Sequence, residues 1–406
     1  MATAAKLRMS SARQDRIIRR LARFAVEVPS WGFADTGTRF GKFLQDAAAI
    51  DLNDKLADAG CVHRFTGITP TVAVHVLWDF PEGFDPAVVK LARRHGVRIG
   101  AVNPNVFQDQ CYKYGSVCNR DRAIRRRAVR HMLESVAIGQ AAGSRYLSLW
   151  FADGANYPGQ ADVRQRKRWA TAALKKVHQA MPPAMTMLIE YKPFEPAAYF
   201  TDFFDWGSSL LFAKAAGPRA KVLVDTGHHL PGCNVEQIVA WLLEERMLGG
   251  FHFNDRKYAD DDLTVASIDP YQAFRIFHEI AAYERDSGRD LDIAWMVDQS
   301  HNIKPKVQAM IQTVCRIQEL FAKALCVDRA ALAAAQRKED TVAAEEILRG
   351  GFTADVSPLL RAVRRRLGVP ADPLEAYRAS GYEAAAAQDR RQRRKALGIS
   401  AASTYA

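Results

Sequence analysis

Four side chains that can bind a metal ion each stand at the carboxyl end of an apolar run. Glu190 ends LIE, Asp225 ends VLVD, His252 ends GFH and Asp298 ends MVD. Three carboxylates and an imidazole pointing into one space would repel or neutralise one another unless a cation holds them. If the apolar runs are strands whose ends converge, the four residues predict a divalent metal site.

A second set of possible ligands surrounds Asp225. His228 follows it by three residues, and the acidic run DDD occupies positions 260–262, shortly after the strand-end histidine. Asp225 can bridge two ions if His228 and two of these aspartates hold the second ion. Ligand sets that are mostly carboxylate oxygen with one imidazole per ion suit Mn²⁺, with Co²⁺, Mg²⁺ or Zn²⁺ as substitutes. We therefore predict two metal ions per subunit.

Polar and aromatic side chains near the same positions predict a sugar pocket. Lys192 stands two residues after Glu190, which in an extended strand places both on one face, and it can donate to a substrate hydroxyl. Sugars pack their C–H faces on aromatic rings while their hydroxyl groups take polar partners. Besides His75, the side chains that can line such a pocket are Trp31, Phe40, Trp78, Phe107, Trp150, Phe151 and Tyr157.

The elements that must position these residues alternate along the chain. Eight short β-rich runs alternate with helical patterns such as Arg122–Gly139 and Val235–Leu248, which is typical of a (β/α)₈ barrel. An open doubly wound sheet is the alternative, but the residues after the first run, PSWGFADTGTRFGKF, contain no glycine-rich phosphate loop. We predict an α/β fold, a (β/α)₈ TIM barrel with a C-terminal helical extension. The predicted strands are Phe24–Val28, Thr71–Leu77, Val97–Val102, Tyr146–Phe151, Met185–Tyr191, Lys221–Asp225, Gly250–Phe253 and Ile293–Val297.

Three regions follow from this pattern. Residues 1–23 form a basic helical N-terminal segment, residues 24–303 form the catalytic barrel, and residues 304–406 form a helical extension. In the extension, helices are predicted over Val307–Leu325, Ala330–Arg349 and Ser357–Leu367. Such a tail buries little by itself, so we expect it to pack on the barrel or on a neighbouring subunit.

The net charge of +12 on the 406 residues is concentrated at the two ends. Residues 1–24 carry seven basic groups and one acidic group, and residues 361–406 carry ten and four. Each end therefore contributes +6 and the body is neutral, which argues against a nucleic-acid partner. No apolar run approaches the roughly 20 residues of a membrane span, so we expect no membrane partner and a cytoplasmic location. The six cysteines lack C-x-x-C spacing, which favours reduced thiols.

Several stretches resemble the L-rhamnose isomerase family, a branch of metal-dependent sugar isomerases related in fold to xylose isomerase. The stretches that carry the resemblance are EVPSWGFADTGTRFGKF, NPNVFQDQCYKYGS, LWFADGANYPGQ, EYKPFEPAAY, VDTGHHLPGCNVE, GGFHFNDRKYADDDLTVASIDPYQ, VDQSHNIKPK and PADPLEAYRASGY. The run Arg390–Lys395 has no counterpart that we can relate to the family's function.

The resemblance implies a role for each candidate residue and a homotetramer. A structural metal would be held by Glu190, Asp225, His252 and Asp298. A catalytic metal would be held by Asp225, His228, Asp260 and Asp262. The sugar would lie among His75, Trp78, Trp150 and Lys192, with Phe40 in a loop that reaches a neighbouring subunit's pocket.

The implied reaction converts L-rhamnose to L-rhamnulose. Because the carboxylates are committed to metal, we favour a hydride shift between C1 and C2 over a cis-enediol route that needs a side-chain base. We expect Lys192, His228 and Asp298 to act closest to the reacting atoms. Broad activity on L-mannose, L-lyxose or D-allose is an alternative. A keto-sugar epimerase is a further alternative. Such an enzyme needs two glutamate bases, and Glu190 is the only glutamate placed clearly at the end of a predicted strand.

Overall fold

Eight parallel strands close into a barrel in chain order, with the last strand paired to the first. The computed structural model describes residues 9–35, 43–195, 200–257 and 261–399. The strands are β1 Glu27–Pro29, β2 Thr71–His75, β3 Arg98–Asn103, β4 Tyr146–Leu149, β5 Thr186–Glu190, β6 Ala220–Asp225, β7 Leu248–Phe253 and β8 Ala294–Val297. The predicted (β/α)₈ barrel is thereby confirmed.

The helices surround the barrel and continue beyond it, and they include short 3₁₀ turns at Ser30–Phe33 and Gln110–Tyr112. In chain order they are α1 Ser11–Arg23, α2 Leu52–Thr66, α3 Val76–Asp79, α4 Ala87–Arg94, α5 Arg122–Ala142, α6 Val163–Ala180, α7 Trp206–Ala216, α8 Val235–Glu244, α9 Pro270–Ser287, α10 Lys306–Cys326, α11 Arg329–Arg337, α12 Thr341–Thr353, α13 Ser357–Leu367, α14 Pro373–Ala379 and α15 Tyr382–Ala396.

Local sequence signals set where these helices begin and end. An aspartate side chain accepts a first-turn N–H at the start of α2, α5, α6, α7 and α9, which satisfies donors that a helix leaves open. Left-handed glycines end α2, α5 and α9. Helix α8 was predicted to end at Leu248 but ends at Glu244, four residues earlier. The reason is that Arg246 takes a positive φ of 56° and Leu248 already belongs to β7.

The barrel interior is filled by alternating small and large side chains. Ala73, Ala101 and Ala294 leave room for Leu188 and Leu223, and all five are buried in one cluster. The carboxylate of Glu27 also enters this space, where it accepts the Ala101 N–H at 2.8 Å. A Cβ at position 100 would lie 1.6 Å from that carboxylate, so only glycine fits there. The core is therefore packed, and chemistry is confined to the ends of the barrel.

The helices after the barrel strands pack on the barrel. Helix α10 contacts α9 and α2, so it occupies the place of the eighth barrel helix. The predicted barrel region ends at residue 303, so this helix falls within the predicted C-terminal extension although it packs as a barrel helix. The helix predicted over Ala330–Arg349 is two helices, because Glu339 has a φ of 55° and Asp340 caps a new helix start.

The basic N-terminal helix α1 is held to the barrel by its arginines. Arg13 donates to the carbonyl oxygens that end α10, and the guanidinium of Arg20 lies 2.6 Å from Glu284. Arg23 reaches Asp290 at 2.8 Å. Three of the basic side chains at this end are therefore bonded within the chain itself. In the part of the chain that the structure describes, no helix is long and apolar enough to cross a membrane.

Candidate metal centre

Four consecutive strands bring their ligands to one point at the carboxyl end of the barrel. Glu190 and Asp225 end β5 and β6, His252 lies one residue before the end of β7, and Asp298 follows β8. One ligand atom of each lies within 4.8 Å of the others. The Nδ1 of His252 is 3.2 Å from a Glu190 oxygen, 3.7 Å from Asp298 and 4.0 Å from Asp225.

The four ligands differ in exposure. Asp225 is fully buried, and Glu190 and His252 are nearly so, whereas the Asp298 side chain is 24% exposed. Asp298 is thus the member of the cluster that faces the opening of the barrel.

Burial and mutual repulsion perturb the protonation of the cluster. Burial raises the pKa of Asp225, and the carboxylates of Glu190 and Asp298 raise it further. Burial alone would lower the pKa of His252, but the charges of Glu190, Asp298 and Asp225 raise it to about 9. Burial opposes ionisation of Glu190, yet His252 and His228 hold its pKa below the usual range. The cluster therefore carries protons that a bound cation would displace.

The donor atoms fit a divalent ion. Among the described residues, Glu190 Oε1 and both ring nitrogens of His252 are buried without a hydrogen bond of acceptable geometry. Buried polar atoms rarely stay unsatisfied, and two of these, the Glu190 oxygen and the His252 Nδ1 that faces the carboxylates, indicate a missing partner at the cluster. Carboxylate and imidazole donors match Mn²⁺ and similar ions.

Neighbouring side chains orient the ligands. Asn254 donates from Nδ2 to both oxygens of Asp225 at 3.1 Å, and the N–H of Gly227 donates to the same carboxylate at 2.7 Å. The indole N–H of Trp31 donates to Asp298 at 2.9 Å. Outer partners of this kind hold metal ligands in place. The sequence interpretation missed Asn254, although it stands two residues after His252 and so shares its face of the extended chain.

The predicted second metal site is described only in part. His228 lies beside the first cluster, with Nε2 3.9 Å from Asp225 and Nδ1 3.1 Å from Glu190. The adjacent His229 points away and lies 2.7 Å from the hydroxyl of Tyr191. Asp262 belongs to no group of three or more clustered ligands found among the described residues. Asp260 lies outside the described residues, so the second site stays a prediction.

Five of the predicted pocket residues form an aromatic wall next to the cluster, namely Trp31, His75, Trp78, Phe107 and Trp150, whereas Phe151 stacks on Phe203 and Tyr157 is exposed. The His75 ring lies 4.7 Å from that of Trp31 and 4.1 Å from that of Trp78, and Phe107 lies 4.7 Å from Trp150 and 5.8 Å from His75. Burial, together with the positive charge of His252, lowers the pKa of His75 to about 3, so its ring is neutral. Phe40 lies outside the described residues.

Lys192 closes this wall on the side of β5. It is 5% exposed, and its ammonium lies 5.4 Å from the centre of the Trp150 ring. It also forms an ion pair with Glu195, three residues later. The sequence interpretation did not weigh Glu195, whose signal was the i, i+3 spacing from a lysine already singled out. The pair keeps a charged lysine in place at a buried position.

Two other polar regions do not share the properties of the centre. Cys118, Asp153 and Asp202 cluster, but Asp153 accepts N–H groups from Ser116 and Cys118, and Asp202 pairs with Arg166 at 2.7 Å. Protein donors thus already satisfy the two carboxylates of that cluster.

A cavity of about 610 Å³ opens at the amino ends of β1–β4 and β8, opposite the metal centre, and none of the predicted site residues lines it.

Comparison with known proteins supports a relationship over nearly the whole chain. A probable sugar isomerase of Mesorhizobium japonicum is 40% identical over 382 residues, which cover 93% of this chain and 88% of that protein. A probable sugar isomerase of Rhizobium meliloti is 40% identical over 381 residues with the same coverage.

Solved structures share the fold at low identity. An L-ribulose 3-epimerase structure superposes with a TM-score of 0.56 at 14% identity, covering 79% of this chain and 98% of that one. A Sinorhizobium meliloti protein gives a TM-score of 0.52 at 14% identity, covering 73% of this chain and 98% of that one.

The sequence pattern of the family described as xylose isomerase-like TIM barrel matches residues 54–290. The chain therefore belongs to the xylose isomerase-like TIM barrel family.

Proposed function

We propose that the protein is an aldose–ketose isomerase that converts L-rhamnose to L-rhamnulose and requires a divalent metal. The observation that carries the proposal is the cluster of Glu190, Asp225, His252 and Asp298 directly beside an aromatic wall. The relatives named probable sugar isomerases support the class of reaction. The sequence resemblance supports L-rhamnose as the sugar, Mn²⁺ as the metal with two ions per subunit, and a homotetramer.

The chain's own groups provide for an open-chain sugar. The rings of Trp31, Trp78 and Trp150 offer faces for C–H groups. The indole N–H of Trp150 and the Nδ1 of His75 are buried and lack hydrogen-bond partners among the described residues, so both can serve hydroxyl groups. The ammonium of Lys192, at the edge of the same wall, donates to a sugar oxygen.

The reaction moves one hydrogen from C2 to C1 and one proton from the oxygen on C2 to the oxygen on C1. When bound, a divalent ion polarises these two oxygens and so favours direct transfer of hydride. Asp298 is the cluster carboxylate that reaches the mouth, and the Nε2 of His228 lies 3.9 Å from Asp225. We assign relay of the hydroxyl proton to Asp298 and His228, and stabilisation of the developing charge to Lys192.

The test is a panel of aldoses assayed with protein that is stripped of metal and refilled with Mn²⁺, with the reaction run in D₂O. We expect L-rhamnose to be converted most efficiently, with little solvent deuterium at C1 of the product. Higher efficiency on L-mannose, L-lyxose or D-allose would replace the substrate but keep the class. Substantial deuterium at C1 would contradict the hydride shift and favour an enediol route.

A keto-sugar epimerase is the alternative that the same panel decides. It would need a second glutamate facing Glu190 across the metal, and the strand end at β8 supplies the shorter Asp298 instead. Ketoses should therefore change configuration at C3 slowly, if at all, compared with aldose conversion. Faster epimerisation than isomerisation would overturn the proposed reaction.

A further inference from the structure

The short helix α3 carries part of the aromatic wall and cannot be stable by itself. It contains only Val76–Asp79, with Trp78 inside it and His75, the last residue of β2, directly before it. Forming a first helical turn is unfavourable, so an isolated helix of this length does not persist in water. Its first N–H groups also have no partner within the helix. The residues that accept these N–H groups therefore set the place of the two rings.

Two buried side chains accept N–H groups at the start of α3. The Asp79 carboxylate accepts the backbone N–H of His75 at 2.8 Å, and the side-chain oxygen of Asn105 accepts that of Leu77 at 2.8 Å. Asp79 is the last residue of the helix and bonds back to the residue before its first turn, as in one half of a capping box. Both acceptors are buried, so water competes little for these bonds.

The Asp79 carboxylate also joins α3 to two other elements. One of its oxygens accepts the ammonium of Lys55, on α2, at 2.7 Å. The other oxygen, which accepts the His75 N–H, also accepts the hydroxyl of Ser30 at 2.6 Å. Ser30 directly precedes Trp31, whose ring contacts that of His75. One carboxylate thus connects the segments that carry three rings of the wall.

Lys55 allows this carboxylate to be ionised in the interior. The Lys55 side chain is 8% exposed and that of Asp79 is fully buried. A buried charge without a partner is strongly unfavourable, so each group requires the other. In the described part of the chain, no hydrogen bond or ion pair joins Asp79 to a carboxylate or imidazole of the metal cluster. The pair therefore acts on the wall rather than on the metal ligands.

We propose that Asp79 is a positioning residue that, together with Lys55, holds His75 and Trp78 in the orientation that binds the sugar. This inference rests on the proposed function for the identity of the ligand. Bonds that order the wall before the sugar arrives reduce the ordering that binding requires. The wall would contact parts of the sugar that do not react, so its displacement should raise KM and leave kcat nearly unchanged.

The test uses two double variants of the full chain that lose the same two charges. Lys55→Met/Asp79→Leu removes the acceptor of the His75 N–H, whereas Lys55→Met/Asp79→Asn keeps one side-chain oxygen that can accept it. Neither variant leaves a buried charge unpaired. In the leucine variant we expect KM to rise about tenfold, as for the loss of a hydrogen bond to a charged group, with kcat and bound Mn²⁺ within about twofold of the wild type. In the asparagine variant KM should stay within about threefold of the wild type.

Near-ultraviolet circular dichroism reports the wall without any substrate. The Trp78 ring lies 4.1 Å from that of His75 and 6.4 Å from that of Trp31, and the signal of such rings depends on their fixed packing. The variant Trp78→Phe identifies the part of the spectrum that belongs to Trp78. The leucine variant should lose most of that part, and the asparagine variant should keep it.

The matched control is Arg20→Met/Glu284→Leu, which removes another buried ion pair. Arg20 lies 2.6 Å from Glu284, and Glu284 also accepts a backbone N–H, that of Leu291, at 2.8 Å. Arg20 and Leu291 line the cavity at the amino end of the barrel, opposite the wall. Because distant sites act independently, KM of this control should stay within about twofold of the wild type.

Unchanged KM and an unchanged spectrum in the folded leucine variant would overturn the proposal. An equal rise of KM in the asparagine variant or in the control would overturn it as well. If the leucine variant does not fold, Lys55→Met/Asp79→Ala takes its place, since alanine also lacks the acceptor and is smaller. If the wild type converts no aldose, the proposed function fails, while the spectrum still decides whether Asp79 positions the two rings.

Discussion

Metal binding to this protein should weaken steeply as the pH falls, because the metal must displace protons from its own ligands. In the metal-free cluster, the surrounding carboxylates overcome the effect of burial and raise the pKa of His252 to about 9, so its ring is an imidazolium at pH 8. Burial raises the pKa of Asp225 as well. A metal ion binds the neutral imidazole and the ionised carboxylate, so both groups must lose protons on binding.

The magnitude follows from these protons. Below a pKa of about 9, the His252 proton alone weakens binding about tenfold per pH unit, which gives about 100-fold between pH 8 and pH 6. Protonation of Asp225 adds to this loss at the lower end of the range. The sign is the same for both groups, since a larger fraction of each is protonated as the pH falls.

The assay is calorimetric titration of metal-free protein with Mn²⁺ at several pH values, in buffers with different ionisation heats. The dependence of the heat on the buffer counts protons released, and we expect about one at pH 8 and a number approaching two at pH 6. The control is the same titration of a small chelator whose proton release is known. Binding that changes less than about threefold between pH 8 and pH 6, with no proton release, would refute this electrostatic description of the cluster.

Three further predictions concern single substitutions. Asp225→Asn should weaken Mn²⁺ binding by about 100-fold or more, and Asp262→Asn should weaken it by less. The reason is that Asp225 belongs to the observed cluster and would touch both proposed ions. Equal losses of affinity in a metal titration would argue against bridging by Asp225. Arg390→Met should reduce the free energy of unfolding by about 3–5 kcal/mol at pH 8, because it leaves Asp58 buried without its partner. Burial already raises the pKa of Asp58 to about 6 despite Arg390, so this carboxyl takes up a proton more readily without the arginine. The loss of unfolding free energy should therefore be smaller at pH 5 than at pH 8. Equal losses at both pH values in urea unfolding would contradict this. Lys192→Met should lower kcat/KM by about 100-fold while Mn²⁺ affinity stays within about threefold of the wild type, because the lysine faces the aromatic wall rather than the cluster. A parallel loss of Mn²⁺ binding would assign Lys192 a structural role instead.

The fold was predictable because the signal is local and repeated. Each strand is a mostly apolar run followed by a helix, and the eight repeats leave few topologies other than a barrel. The clustering of the four candidate ligands was predictable for the same reason, since parallel strands in a barrel place their carboxyl ends at one face whatever their exact register. Strand limits were less accurate. The first strand begins at Glu27 rather than Phe24, because Phe24 is the C-cap residue that follows α1 and packs against Trp295 and Phe321.

Other parts of the site and of the fold depend on contacts between distant segments and leave no local signal. Trp31 reaches Asp298 across 267 positions, and Arg394 reaches Asp35 across 359. No periodicity connects such pairs, so the arginines of α15 look like a solvated charged run in the sequence. Asn254 is an intermediate case, because its spacing from His252 was visible but its partner, Asp225, was not.

The most direct test of the central claim is to measure bound Mn²⁺ and L-rhamnose conversion together in metal-free protein titrated with Mn²⁺, for the wild type and for Glu190→Gln. Glu190 supplies one of the four clustered ligands and holds a buried oxygen without a hydrogen-bond partner among the described residues. We expect no conversion without metal, a rise in activity that follows bound Mn²⁺ in the wild type, and loss of both in the variant. Undiminished conversion by the metal-free wild type, or full Mn²⁺ binding and activity in Glu190→Gln, would contradict it.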